Sequence, residues 1–217
     1  MKKLSLLLTF AFALFLANAQ DKAFKNVNTN FLLGKFEEAK TELDKAMADP
    51  KNESKAEAWL WKTRIWAELY GDEKLEAKYP DAGKTALEAF KKYESMDKDL
   101  KMIADANVSW RSADLIYVNS FNRGRKQFDA KKWSEAFDFF TKAEYIGEVF
   151  TKKNLRNNGA VVDTFIVLYT AYAAQNAKKS DDAAFYYGKL ADKKIGGNDY
   201  KDIYSYLLVY NSDKKQK

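Results

Sequence analysis

The sequence predicts an all-α protein built of antiparallel helix hairpins, and three observations carry that expectation. Its 217 residues include two prolines and nine glycines, too few turn-formers for a sandwich or barrel that must reverse direction at the end of every strand. Apolar residues recur at helical spacing along almost the whole chain; Phe36, Ala39, Leu43, Ala46 and Met47, for instance, share one helix face. A hydrophobic share of 47%, of which many are rings, supplies the apolar surface that a disordered chain of equal charge lacks.

The first element is a leader. Residues 1–19, MKKLSLLLTFAFALFLANA, combine two lysines, an apolar run from Leu4 to Leu16 and the small-residue end Ala17-Asn18-Ala19. The run is shorter than the roughly 20 residues a bilayer-spanning helix needs, so it reads as a secretory signal cleaved before Gln20; an uncleaved N-terminal helix is the alternative. No later stretch is long and uncharged enough for stable membrane insertion, and without cysteine the chain has no residue to carry a bacterial lipid anchor. The expected location is the bacterial periplasm, or outside it or peripheral to the cell envelope.

Residues 20–217 then read as one helical domain, with helices near 23–33, 36–48, 55–70, 81–95, 108–129, 132–145, 161–177, 181–193 and 199–210. Local breaks separate them: Gly34, Pro50, Gly71-Asp72, Pro80 and Gly196-Gly197. Longer connections are expected over 98–116 and 146–160. The last helix, with Ile203, Tyr206, Leu207 and Tyr210, looks like the first half of a further hairpin.

The helices repeat. Gly34, Phe36, Ala39, Leu43 and Ala46 form a spaced pattern of small and large residues that returns as Trp133, Ala136, Phe140 and Ala143, then as Ala183, Tyr187 and Leu190, and more weakly as Ala86, Phe90 and Tyr93. Gly124 supplies a small residue in the helix before the second copy. The physical reason is close approach: one helix presents a small side chain and its neighbour fills the space with a ring. This pattern resembles the tetratricopeptide repeat, a helix hairpin whose second helix carries the Gly-x-aromatic-x-x-Ala spacing. The resemblance implies about four hairpins plus a final helix, stacked as a right-handed α-solenoid. An ordinary helical bundle with aromatic filling is the alternative.

Composition removes much chemistry. Zero Cys and zero His exclude thiolate and imidazole catalysis and Cys/His zinc sites. Phosphate-cradling glycine motifs and the Gly-x-Ser-x-Gly elbow are absent. The carboxylate pairs Glu37-Glu38 and Asp181-Asp182 are adjacent on helices, where neighbours diverge by about 100°, so neither pair converges on one atom. Asp181 and Asp182 follow Ser180 at a helix start, where negative charge offsets the macrodipole. Basic and acidic residues interleave instead of forming a stripe, so no nucleic-acid partner is expected. The expectation is a protein without catalytic activity, cofactor or metal.

What the resemblance implies is a protein or peptide partner held in a groove lined by first helices. The register places Asn28, Arg64, Arg125 and Tyr172 at one groove-facing position. Leu60 and Phe121 lie one turn before the two arginines. An arginine beside an apolar side chain suits a carboxylate on an acidic segment. Each arginine alternatively pairs with the acid one turn on, Glu68 or Asp129. The second functional expectation is a glycan or small-ligand component of an outer-membrane uptake system with exposed Trp or Tyr as stacking platforms, and the exposure of Trp59, Trp61, Trp66, Trp110 and Trp133 discriminates it from the scaffold.

Overall fold

The computed structural model describes residues 22–104, 110–154, 163–194 and 200–215. The leader, its cleavage before Gln20 and the Gly196-Gly197 break lie outside the described residues. Within them every regular element is helical: eleven α-helices and two 3₁₀ turns. None of these helices is long and apolar enough to cross a membrane. The stretch expected as one domain contains two compact units, residues 1–109 and 110–217.

In the first unit, α1 (Lys25–Leu32), α2 (Phe36–Met47), α3 (Pro50–Glu53), α4 (Ala56–Gly71), α5 (Ala82–Met96) and α6 (Lys101–Ala104) follow one another. Packing runs from α1 to α2, from α2 to α4 and from α4 to α5, around Phe24, Val27, Ala39, Leu43 and Ile65. The short α3 sits where the sequence shows only a break. Pro50 begins it with φ already helical, and Asp49 caps it by accepting the Lys51 N–H at 2.9 Å. The short α6 is tied down by Tyr93, whose hydroxyl donates to Asp97 at 2.8 Å and accepts the Ile103 N–H at 3.1 Å.

In the second unit, α7 (Arg111–Asp129), α8 (Trp133–Lys153), α9 (Thr164–Asn176), α10 (Ser180–Asp192) and α11 (Lys201–Lys215) each pack on the next. Helices two apart also meet. Tyr169 of α9 sets its ring 6.0 Å from Phe121 and 5.4 Å from Phe128 of α7, and Phe137 of α8 meets Tyr186 of α10 at 6.1 Å. So α7 and α9 share one side, and α8 and α10 another. The sequence ends α8 near 145, but the helix continues to Lys153 because Ile146, Gly147, Val149 and Phe150 carry its buried stripe onward. It stops at Asn154, left-handed at φ 51°.

The repeat positions are the core. Ala39 and Leu43, Ala86 with Phe90 and Tyr93, Ala136 with Phe140 and Ala143, and Ala183 with Tyr187 and Leu190 are all buried. Two glycines allow the closest approaches: a Cβ on Gly83 would lie 2.6 Å from the Tyr70 ring, and one on Gly124 2.5 Å from Phe140. The positions one turn earlier, Phe36 and Trp133, are only half-buried; Trp133 is an edge contact for Phe128, 4.9 Å away.

The backbone repeats as well. Hairpins α1–α2, α7–α8 and α9–α10 turn through Leu33-Gly34-Lys35, Ala130-Lys131-Lys132 and Ala177-Lys178-Lys179. Each middle residue is left-handed, at φ 72°, 58° and 61°. Its N–H donates three residues back, to Phe31, Phe128 or Gln175, at 2.9–3.0 Å. The next N–H donates five back, to Asn30, Gln127 or Ala174, each at 2.9 Å. Among the described residues one helix-ending motif closes these three hairpins, and of the three only the first has the glycine that suits it. Lysine in the left-handed region is strained, so Lys131→Gly and Lys178→Gly are each expected to stabilise the protein by about 0.5–1 kcal/mol, the surplus of that strain over glycine's entropy cost. Gly34→Ala should destabilise it; urea unfolding midpoints measure all three.

Candidate functional site

The six candidate residues divide three and three between the two units. Asn28, Arg125 and Tyr172 each stand six residues before the left-handed residue of a repeated turn, so they are equivalent places on α1, α7 and α9. Arg64 has no such turn after it, because α4 ends at Asp72 in extended backbone. Asn28 and Arg64 belong to the first unit; Arg125, Phe121 and Tyr172 belong to the second.

Arg64 is half-buried, with its guanidinium 4.3 Å over the Trp61 ring and 4.5 Å over Phe31 of α1. Burial pulls its pKa down to about 10, against the opposing charge of Glu68. Leu60, expected beside it on an accessible face, is 3% exposed and is spent on the core. The helix α4 buries residues around most of its circumference, which leaves no broad open stripe for a partner.

The second unit does bring its residues together. Arg125 is exposed, 5.9 Å over the Tyr169 ring. Phe121 stacks parallel on Tyr117 and meets Tyr169 edge-on. Tyr172, one turn along α9, packs edge-on against Tyr187 at 5.9 Å. Phe165, 68% exposed, continues the α9 stripe and lies 6.3 Å from Tyr169. With the exposed Val118 of α7, these residues make an aromatic face carrying one solvent-facing guanidinium.

None of the five tryptophans is exposed. Trp61 is 4% exposed, Trp66 sets its ring edge-on to Tyr79, Trp110 does so to Phe150, and Trp59 donates its ring N–H to the Glu53 carbonyl at 2.9 Å. They fill structure rather than form open platforms.

A second feature escapes the sequence. A cavity of about 330 Å³ opens between α8, α9 and α10, with Gly147, Ile166 and Val167 among its lining. On its wall Lys189 of α10 donates to Glu144 at 2.7 Å and to Glu148 at 2.6 Å, both on α8, and Lys152 bonds Glu148 at 3.1 Å. Glu144 is 5% exposed. Burial raises its carboxyl above the ordinary carboxylate range, more than Lys189 lowers it. Burial also acts on Glu148 and Lys189, but there their mutual hydrogen bonds win, lowering the acid and raising the amine. Asp163 completes the rim, capping α9 by accepting the Ile166 N–H at 3.2 Å and taking the Tyr117 hydroxyl. The signal was present as Glu144, Glu148 and Lys152 at one-turn spacing. The adjacent pairs Glu37-Glu38 and Asp181-Asp182 do outside work instead. Glu37 accepts from Lys78 and Tyr79, and Asp181 from Tyr210 and Lys214.

No family model matches the chain, and neither a curated protein nor a solved structure matches it.

The cluster predicts a pH-dependent variant. Lys189→Met leaves Glu144 and Glu148 without their shared cation, which should cost about 3 kcal/mol at neutral pH. Glu144 has a raised folded pKa, so it takes up its proton more readily folded than unfolded. The penalty should therefore shrink as pH falls from 7 toward about 5. Denaturant unfolding at the two pH values measures this, and Glu144→Gln added to Lys189→Met should recover part of the loss at neutral pH.

Proposed function

We propose that this protein is a non-enzymatic scaffold of the tetratricopeptide-repeat type, acting in the bacterial periplasm or at the cell envelope and holding a protein or peptide segment against the α7–α9 face. The observation that carries this reading is the clustering of Phe121, Arg125, Phe165 and Tyr169, with the guanidinium exposed and Phe165 open to solvent. The repeated turns and the buried small-and-ring positions support the repeat part of it, because hairpins linked alike stack alike. The leader sequence supports export. An extended partner would lay apolar side chains on the rings and an acidic group on Arg125, a charge-assisted contact worth about 1.5–3 kcal/mol.

Arg64 enters this reading as a support for α4 against α1, since its charge already lies over two rings. The glycan-uptake alternative draws less support, because no tryptophan lines a solvent-open surface: every one is at least half-buried.

A photo-crosslinking residue at Phe165, introduced in the exporting cell, tests the proposal. A discrete crosslinked product is expected there, reduced by Arg125→Ala while the helical circular dichroism stays unchanged. The same probe at Ser134 on α8 should give none. Equal yield from both positions, or indifference to Arg125→Ala, would contradict the assigned face.

A further inference from the structure

We propose, resting on the face assigned above, that the segment held by α7 and α9 is an extended strand carrying an acidic and an aliphatic side chain four residues apart. Two anchors on that face are open. Among the described residues the Arg125 guanidinium takes part in no hydrogen bond or ion pair, not even with Asp129 one turn on, and lies over the Tyr169 ring. It is free to bind a carboxylate through its N–H edge. Phe165 is 68% exposed, and Val118 of α7 is 46% exposed. Elsewhere the chain covers surface rings with its own lysines: Lys62 over Trp59, Lys40 over Trp66 and Lys189 over Phe185, at 4.8–5.5 Å. No described cation lies over Phe165. Phe165 and Val118 therefore offer bare apolar surface, which an aliphatic side chain covers best.

The repeat sets the distance between the anchors. Arg125 and Tyr172 stand six residues before the left-handed Lys131 and Lys178, and Val118 and Phe165 stand thirteen before. The two rows are thus seven residues, or two turns, apart. Two turns put about 10.5 Å of helix axis between the rows, and the guanidinium is 5.9 Å from the Tyr169 ring, itself 6.3 Å from Phe165, so the anchors are at most about 12 Å apart.

A strand rises about 3.3 Å per residue and turns alternate side chains away, so only even offsets place two side chains on one face. Offsets of two, four and six span roughly 7, 13 and 20 Å. Four is the match, because the small excess lies within the reach of a bent glutamate or leucine side chain. A helical partner would match at seven. Tyr169 closes that route, since its ring fills the space between the helices, 5.4 Å from Phe128 and 6.0 Å from Phe121. That leaves no groove for a body roughly 10 Å wide.

Short fluorescein-labelled Ser/Gly peptides test this, each carrying one leucine and one glutamate at an offset of two, four, six or seven, in both orders, titrated to about 1 mM protein and read by anisotropy. An offset of four is expected to bind saturably and about tenfold more tightly than the others. Replacing its glutamate by glutamine should cost the wild-type protein about tenfold and Arg125→Gln nothing. Phe165→Ala should erase the preference for leucine over alanine in the peptide. Both variants should keep the wild-type helical circular dichroism. Tightest binding at seven, equal binding at every offset, or no saturable binding at any would overturn the assignment. So would a loss in Arg125→Gln that is the same for glutamate and glutamine peptides. A crosslink at Phe165 alongside any of these results keeps the face and removes the spacing, whereas no crosslink there removes the face itself.

Discussion

Two helical glycines of this protein are pressed directly against rings. Gly124 of α7 lies so near Phe140 of α8 that a Cβ would come within 2.5 Å of it, and Gly83 stands in the same relation to Tyr70. Much else in these two helix pairs depends on that approach. It lets two helices come close enough for Ala136 and Ala143 to be fully buried beside Phe140. It fixes how the hairpin faces the next one, where Tyr169 reaches Phe121 and Phe128. The accessible aromatic face is therefore a by-product of core geometry: rings that seal the hairpins on one edge remain open on the other.

The longer helices were legible because each carries an apolar stripe and most end at a residue with a local reason to end them, whereas the short α3, with no buried residue, carries no such stripe. The turns were legible only at Gly34. Lys131 and Lys178 adopt the same left-handed backbone, but lysine carries no such signal, and the hydrogen bonds that close the motif outweigh its strain. The sequence reading ends α8 near 145, whereas the buried stripe continues through Ile146, Val149 and Phe150. Of the site, Phe121, Arg125 and Tyr172 followed from counting back from the repeat. Leu60 did not, since α4 is buried on most sides and periodicity alone gives no way to choose its open face. The Glu144–Lys189 contact joins residues 45 apart on separate helices, a pairing that only the stacking of α8 and α10 creates.

Charge is used in two ways. Pairs such as Lys40–Asp44 and Lys45–Glu42 lie along exposed helix faces, where solvent screens them. The Glu144–Lys189–Glu148 cluster is different, because Glu144 is withdrawn from water and depends on its partner. The cluster links α10 to α8 and places polar groups at the wall of the cavity. The fold thus positions two chemically distinct surfaces in its second unit, an aromatic face with one guanidinium and a cavity of mixed charge.

The most direct measurement of the central claim is a glycine-to-alanine series read by equilibrium unfolding. Alanine is the better helix former by about 0.5–1 kcal/mol, so Gly188→Ala, where a Cβ meets nothing within 4 Å, should stabilise the protein by that amount. Gly83→Ala and Gly124→Ala should destabilise it, because the methyl must push the Tyr70 or Phe140 ring out of place. If all three substitutions stabilised the protein alike, the hairpins would not be held by glycine-to-ring contact, and the account of the fold would fail.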